Sequence, residues 1–420
     1  MRILFLTHYF PPEVNAPASR TYEHAKEWVK DENTFVTMIT NNPNHPEGVL
    51  YEGYENRWFQ KEEIDGIEVI RVKTYLAPNK AVFKRTINYL FYMLMAQAGS
   101  LRVDKPDVVI ATSPQFFCAC GGYLVSLFKR VPFVFELRDI WPESIVTVGA
   151  IKKSVIIRFF ETIELFLYKS SDWIISLTDS FKEDLIKRGI DAKKITVIKN
   201  GVDLDNFKRE QINVEKFKRE LGVEEKKIVS YIGTLGMAHA LDKILDCAKN
   251  LQTLKDMHFF IVGSGAEKDE LENKREKENI KNVTFVGQVS KEEVKKYYAI
   301  SDIGLVALRK DELFKSVIPS KIFEYMAMEV PIIIGVDGEA RKIVEESGGG
   351  IYVEPENVEQ MTEALRVLIQ NKETIAEMGK NARMYVERNF DRKELAQKQL
   401  DVLKLLVSTA KAKERRRICS

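Results

Sequence analysis

Lys321 and Glu324 stand three residues apart in Ser-Val-Ile-Pro-Ser-Lys-Ile-Phe-Glu-Tyr-Met-Ala-Met-Glu-Val-Pro-Ile-Ile-Ile-Gly, residues 316–335. The segment reads as a loop running into Pro319, a short helix, and an apolar strand. A helix start offers unbonded N–H groups and the positive end of a dipole. Ser320 and Lys321 stand there, so the segment suits an anion such as a diphosphate. Glu324 lies about one turn in. From there it can accept hydrogen bonds from a ribose diol while the phosphates rest on the N–H groups behind it. The plainer reading is a capped surface helix.

Other candidates follow strands. Gly233-Thr-Leu-Gly236 can bring a ligand close to the backbone, with Thr234 between the glycines and His239 just beyond; its alternative is a tight turn. Gly263-Ser-Gly265 has Lys268 where a dinucleotide fingerprint needs its third glycine. Gly287-Gln-Val-Ser290 opens onto a helix, and its backbone can read a nucleobase edge. Earlier in the chain, Glu136-Leu-Arg-Asp-Ile-Trp-Pro-Glu143 gathers charge and an aromatic ring at a strand end. Asp139 can orient or polarise an acceptor hydroxyl and Trp141 can stack on a sugar ring, with Arg138 and Glu143 beside them. Against this stands an Arg138–carboxylate pair that only pins the loop. Arg20, with the Pro11-Pro12-Glu13 loop, follows the first strand and reads equally as a phosphate or acceptor contact and as a surface arginine. Asp203-Leu-Asp205 falls in a linker away from any strand end and reads as structural. There is no P-loop, no Gly-x-Ser-x-Gly elbow and no His-Glu-x-x-His, and the five histidines show no metal-ligand grouping.

These residues need an α/β frame. Strands are expected at Arg2–Thr7, Phe35–Thr40, Ile67–Val72, Asp107–Ala111, Phe133–Leu137 and Trp173–Leu177. Helices are expected near 20–30, 82–103, 121–129 and 151–168, and a long loop over 41–63. A second strand series runs through 228–233, 259–263, 284–287, 303–307, 332–335 and 350–353. Alternating strands and helices mean doubly wound parallel sheets. The division is an N-terminal Rossmann-like domain over 1–204, a second over 205–391, and a helix with a basic tail over 392–420. Two such domains leave a cleft at the carboxyl ends of their strands, where ligands bind.

Bulk properties agree with a folded chain and set limits. At 420 residues, 45% apolar and 30% charged, it can build more than one core. A net charge of +2 gives no general affinity for polyanions, so nucleic acid is not an expected partner. Four scattered cysteines read as reduced thiols, and the N-terminus reads as a buried strand rather than a secretory signal. The expected location is the cytoplasm.

Taken together and in order, Pro11-Pro12-Glu13, Asn200-Gly201-Val202-Asp203, Gly233, Gly263-Ser-Gly265, Val286-Gly287, Pro319-Ser320-Lys321 and Glu324-Tyr-Met-Ala resemble the retaining glycosyltransferases of family four, which have the two-domain GT-B fold. Arg138-Asp-Ile-Trp-Pro-Glu143 and Ile318–Tyr325 further resemble the subgroup of N-acetyl-L-fucosamine transferases of O-antigen synthesis, the WbuB type. The resemblance implies a nucleotide-sugar donor on the second domain with Glu324 on its ribose, transfer with retention, no obligatory metal or cofactor, and a final helix that returns to the first domain. It places Gly233, Thr234, His239, Gly263, Gly287, Ser320, Lys321 and Glu324 on the donor. Asp139 and Lys321 carry the chemistry, and Arg20, Arg138, Trp141 and Glu143 face the acceptor. Four positions depart from the family pattern. Ser316 replaces a glutamate, Thr234 an arginine, a residue near His239 a lysine, and a residue near Thr112 a histidine. The diphosphate must then be met by Lys321, by helix-end amides and by His239.

The expected activity is transfer of an N-acetylamino sugar from UDP to a hydroxyl of a lipid-linked saccharide. A nucleotide-sugar epimerase or phosphorylase of the same architecture, or a silent sugar-binding protein, is the alternative. Residues 71–158 hold thirteen Lys/Arg against five Asp/Glu. Within them Val82–Ala96 is too short to span a bilayer. It can lie on an anionic membrane surface with Lys80, Lys84 and Arg85 at the headgroups, or be a core helix with a charged start.

Overall fold

The computed structural model describes residues 1–77, 82–113, 115–140 and 155–419, which form two compact units. The first comprises residues 1–200 and 392–420, the second 201–391. The division falls at 200 rather than 204 because Val202 already belongs to the second unit, where its N–H donates to the Phe390 carbonyl (3.1 Å).

In the first unit the elements run β1 (Arg2–Leu6), α1 (Ala16–Trp28), β2 (Phe35–Asn41), β3 (Phe59–Ile64), β4 (Ile67–Val72), α2 (Val82–Ser100), β5 (Val108–Thr112), α3 (Phe116–Lys129), β6 (Phe133–Leu137), α4 (Val155–Ser170), β7 (Trp173–Ser176), α5 (Asp179–Lys187) and β8 (Ile195–Val197). The sheet order is β3-β4-β2-β1-β5-β6-β7-β8, parallel throughout except for the β3–β4 pair. Strands such as β1, beyond its exposed Arg2, and β5 are buried along their length because helices cover both faces. Asn15 starts α1, its Oδ1 accepting from the Ala18 N–H at 2.9 Å, and Thr178 caps α5 in the same way.

The second unit contains α6 (Val214–Glu220), β9 (Lys227–Ile232), α7 (Leu241–Asn250), β10 (Met257–Val262), α8 (Lys268–Lys277), β11 (Val283–Gly287), α9 (Lys291–Ile300), β12 (Ile303–Ala307), α10 (Lys321–Ala327), β13 (Ile332–Gly335), α11 (Glu339–Ser347), β14 (Gly350–Tyr352), α12 (Val358–Leu368) and α13 (Lys372–Asn389). Its sheet is all parallel in the order β11-β10-β9-β12-β13-β14. Both sheets reverse their winding beside the first strand of the unit, between β1 and β5 and between β9 and β12. In open α/β sheets, ligands bind outside the strand ends at that point.

The last helix, α14 (Arg392–Cys419), packs on α1. Leu395, Ala396, Leu400, Leu403 and Val407 join the first unit's core. The Trp28 indole donates to the Ala396 carbonyl (2.8 Å), His24 bonds Gln399 (2.7 Å), and Arg392 pairs with Glu23. Asp203-Leu-Asp205 serves a turn, with Asp203 Oδ1 accepting from the Asp205 and Asn206 N–H groups.

Three expectations change. The loop expected over 41–63 contains the edge strand β3, whose alternating Phe-Gln-Lys-Glu-Glu-Ile is half polar. Helix α3 starts at 116 rather than 121, and the segment expected as a basic tail is helical, α14 running to 419.

Candidate functional site

The carboxyl ends of β9, β10 and β11 are laced together. Gly233 N–H donates to the Val262 carbonyl (2.9 Å), Gly263 N–H to the Gly287 carbonyl (2.8 Å), and Leu235 N–H to the Ser264 carbonyl (3.0 Å). A Cβ on Gly263 would fall 1.9 Å from the Gly233 carbonyl oxygen. Gly263 therefore makes room for the neighbouring Gly233 turn. Gly287 lies with open space around its Cα at φ +84°.

Gly233 has a different role. Its φ is +142°, and a Cβ there would meet Lys321 Nζ at 2.8 Å and Cε at 3.1 Å. The glycine seats the lysine head. Lys321, the first residue of α10, lays its Nζ 3.6 Å from the centroid of the Tyr231 ring, a cation–π contact from β9. Nζ is buried and has no hydrogen-bond partner among the described residues. Burial pulls its pKa down to about 7, against the opposing pull of the Glu324 charge. A buried amine held on a ring, beside a phosphate-type loop and without a carboxylate bonded to it, is short of an anion.

Glu324 is half-buried on the same helix and accepts from the Tyr298 hydroxyl of α9. Tyr298 is buried, and burial together with the Glu324 charge keeps its hydroxyl protonated and donating. That bond orients the carboxylate from behind. Ser320 is half-buried just before the helix, and Thr234 is exposed, its carbonyl accepting from the Tyr231 hydroxyl (2.7 Å). Ser316 Oγ donates to the Leu313 carbonyl (2.6 Å), closing a single 3-10 turn.

His239 does not supply charge. Burial and the neighbouring Lys321 take its pKa down to about 3, so the ring is neutral. Its Nδ1 lies 3.2 Å from the Gly236 carbonyl, which can only accept, so Nδ1 carries the proton. The expectation that it offsets diphosphate charge is corrected to a support for the loop.

Arg309, which the sequence reading passed over, clamps that loop. It pairs with Asp242 (2.9 Å) and Glu356 (3.1 Å), its Nε donates to the Met237 carbonyl, and its backbone N–H donates to the Ala238 carbonyl. Tyr231 and Tyr298 were missed too. Each looks like core in its own element, and only the Tyr231–Lys321 and Tyr298–Glu324 contacts reveal its part.

In the first unit Arg20 is not on an acceptor surface. Its Nε pairs with Glu136 at 2.7 Å with both side chains 2% exposed, and its remaining nitrogens donate to the Ile198 and Lys199 carbonyls and to Asn200 Oδ1. It ties β6 to the end of β8. Arg138 donates to the Ala16 and Pro17 carbonyls (3.1 and 3.4 Å), and burial lowers its pKa to about 9. It pins the entry to α1, through carbonyls rather than the expected carboxylate. Asp139 is half-buried at the β6 end, its N–H 3.3 Å from Ser113 Oγ. Thr112 is buried, its hydroxyl donating to the Ser113 carbonyl. Trp141 and Glu143 lie outside the described residues.

Two Rossmann-like units with a cation, a carboxylate and glycine turns at the switch point of the second define a nucleotide-handling transferase frame. The family model for Glycosyltransferase Family 4 matches residues 18–206 and that for glycosyl transferases group 1 matches residues 213–385; the chain is a glycosyltransferase of the GT-B fold. It is 25% identical over 408 residues to the putative colanic acid biosynthesis glycosyl transferase WcaI of Escherichia coli (strain K12), which covers 93% of this chain and 97% of WcaI. It is 22% identical over 258 residues to the probable glycosyltransferase WbjE of Pseudomonas aeruginosa, covering 59% and 62% of the two chains. Among solved structures, Anabaena Alr3699/HepE in complex with UDP and glucose superposes with a TM-score of 0.72 at 17% identity, over 96% of this chain and 99% of that one.

Proposed function

We propose that the protein is a retaining, metal-independent glycosyltransferase. It moves an N-acetylamino sugar, such as N-acetyl-L-fucosamine or GlcNAc, from a UDP donor to a hydroxyl of a lipid-linked saccharide in surface polysaccharide assembly. The observation that carries this reading is Lys321, a buried ammonium on Tyr231 beside Gly233, with Glu324 one turn along the same helix. The lysine neutralises the diphosphate as the C1–O bond breaks, and Glu324 takes the ribose hydroxyls. The acceptor oxygen bonds to C1 on the face the diphosphate leaves, and its proton passes to the departing phosphate oxygen. Asp139 orients the acceptor hydroxyl. The names of WcaI and WbjE and the UDP in the HepE complex support the substrate class.

Glu324→Ala is expected to raise KM for the UDP-sugar about 10- to 100-fold with a smaller loss in kcat, as steady-state kinetics at varied donor will read. Unchanged turnover at low donor would refute the ribose assignment. Isomerised or phosphorolysed sugar without acceptor would point to an epimerase or phosphorylase. Donor binding without turnover on any acceptor would point to a silent protein.

The membrane partner has support in the first unit. The outer sides of α2, α3 and α4 leave Leu90, Leu94, Leu124, Phe128, Phe159 and Phe166 exposed. No helix among the described residues is long and apolar enough to cross a membrane. An apolar face with Lys84, Arg102 and Arg130 exposed on or beside α2 and α3 fits an anionic bilayer surface. In flotation at low salt the protein should rise with phosphatidylglycerol vesicles, and Leu94→Glu with Phe128→Glu should cut the bound fraction about tenfold. A protein that ignores the vesicles ends the membrane reading.

A further inference from the structure

A pocket in the first unit lies apart from the residues assigned to donor and acceptor above; Arg85, read from the sequence as a headgroup contact, is half-buried in its wall. It sits beyond the carboxyl ends of β1 and β2 and beside the start of α2, and is lined chiefly by His8, Tyr9, His45, Arg85, Asn88 and Tyr89. It opens on one side and holds about 20 Å³ of water-sized space inside that mouth. His8 lies two residues past the end of β1, and Asn44 and His45 lie just past the end of β2.

Its walls are polar but arranged around aromatic rings. His8 meets Tyr9, Tyr89 and Tyr92 edge-on with centroids 4.8–5.1 Å apart, and Tyr9 meets His45 at 4.9 Å. Arg85 donates from Nε and an Nη to the Tyr89 hydroxyl (3.2 and 2.7 Å) and makes no ion pair among the described residues. Burial and the Arg85 charge bring His8 down to about 3 and His45 to about 4, so both rings are neutral. Glu13 stands behind His45. Its Oε1 accepts from the Asn44 and His45 N–H groups, and burial raises its pKa to about 7. A half-buried guanidinium is left with a phenol where its fork fits an oxyanion.

We propose that this pocket holds an oxyanion of the acceptor, a phosphate or a carboxylate, on the Arg85 guanidinium, with Asn88 and the rings of His8 and His45 around it. The inference rests on the reading of the first unit as the acceptor side and adds the chemistry that side selects. Phosphate would come from a lipid carrier's phosphoryl group, carboxylate from an acidic sugar of the growing chain. Either would be placed at the β1 end of the sheet, leaving a hydroxyl further along the saccharide to reach the transferred sugar.

The test uses binding alone, so it stands whether or not transfer is detected. The full-length Lys321→Gln protein, which lacks the proposed donor cation, is titrated with inorganic phosphate, methyl phosphate and glucuronate, following the His8 and His45 ring resonances by NMR and the heat by calorimetry. Saturable shifts of both rings are expected. Adding Arg85→Gln should weaken binding at least about tenfold, and Arg85→Lys, which keeps the charge but not the fork, should lose less than Arg85→Gln does. Phosphates preferred tenfold over glucuronate would mean a lipid phosphate, and the reverse an acidic sugar. Absence of ring shifts at tens of millimolar ligand would overturn the proposal, even if Arg85→Gln fails to fold. So would binding of neutral galactose as strong as that of either anion.

Discussion

Lys321→Gln is expected to weaken UDP-sugar binding about 100-fold and to lower kcat/KM about 10²- to 10³-fold, a loss of about 3–4 kcal/mol of transition-state stabilisation. The reason is geometric. Thr234 stands where the family pattern has an arginine, His239 is neutral, and Arg309 is already held by Asp242 and Glu356. Lys321 is left as the buried cation beside the Gly233 turn. The same residue sets a pH dependence. With its pKa pulled down to about 7, the free protein holds a partly neutral amine at neutral pH. A diphosphate diester carries no proton that titrates nearby, so binding draws a proton onto the lysine. UDP-sugar affinity should fall as pH rises above 7, by at most tenfold per unit, and calorimetry in buffers of different ionisation heat should show proton uptake. The stability sign is opposite. The folded pKa lies below the unfolded value of about 10.4, so the unfolded chain binds more protons between pH 7 and 10 and stability rises with pH through that window. Lys321→Met should therefore melt higher than the parent at pH 7 while losing the donor.

Arg20→Ala should cost the first unit about 3–5 kcal/mol, because it strands Glu136 as an uncompensated charge in a site where both side chains are 2% exposed. The double variant Arg20→Met with Glu136→Leu should recover part of that loss, since Glu136 is no longer stranded while the buried Arg138 loses the Glu136 charge near it. Urea unfolding followed by a first-unit tryptophan signal will measure both. A single variant that loses under about 1 kcal/mol would place Arg20 in solvent and return it to the acceptor.

Periodicity made the architecture readable. Parallel strands buried on both faces, such as Phe133–Leu137, apolar but for Glu136, and Ile303–Ala307, are nearly unbroken apolar runs, and their bounds match the structure. Strand β3 escaped because an edge strand with one neighbour is half polar and resembles loop. The start of α3 was obscured by Gly121-Gly122, which lie mid-helix where Gly122 passes close over Ala111 of β5. In the candidate site, the positions of Lys321, Gly233 and Glu324 on turn and helix were legible because loop-to-helix turns after strands leave a signature in local order. Tyr231, Tyr298 and the buried state of Arg20 were not. Their roles depend on partners 90, 26 and 116 residues away, and separation of that kind leaves no periodic trace.

A crystal structure of the protein with UDP tests the central claim most directly. The account predicts the pyrophosphate within about 3.5 Å of Lys321 Nζ, over the Gly233 turn, with both ribose hydroxyls on Glu324. A pyrophosphate bound away from Lys321, with its amine still resting unbonded on Tyr231, would contradict it.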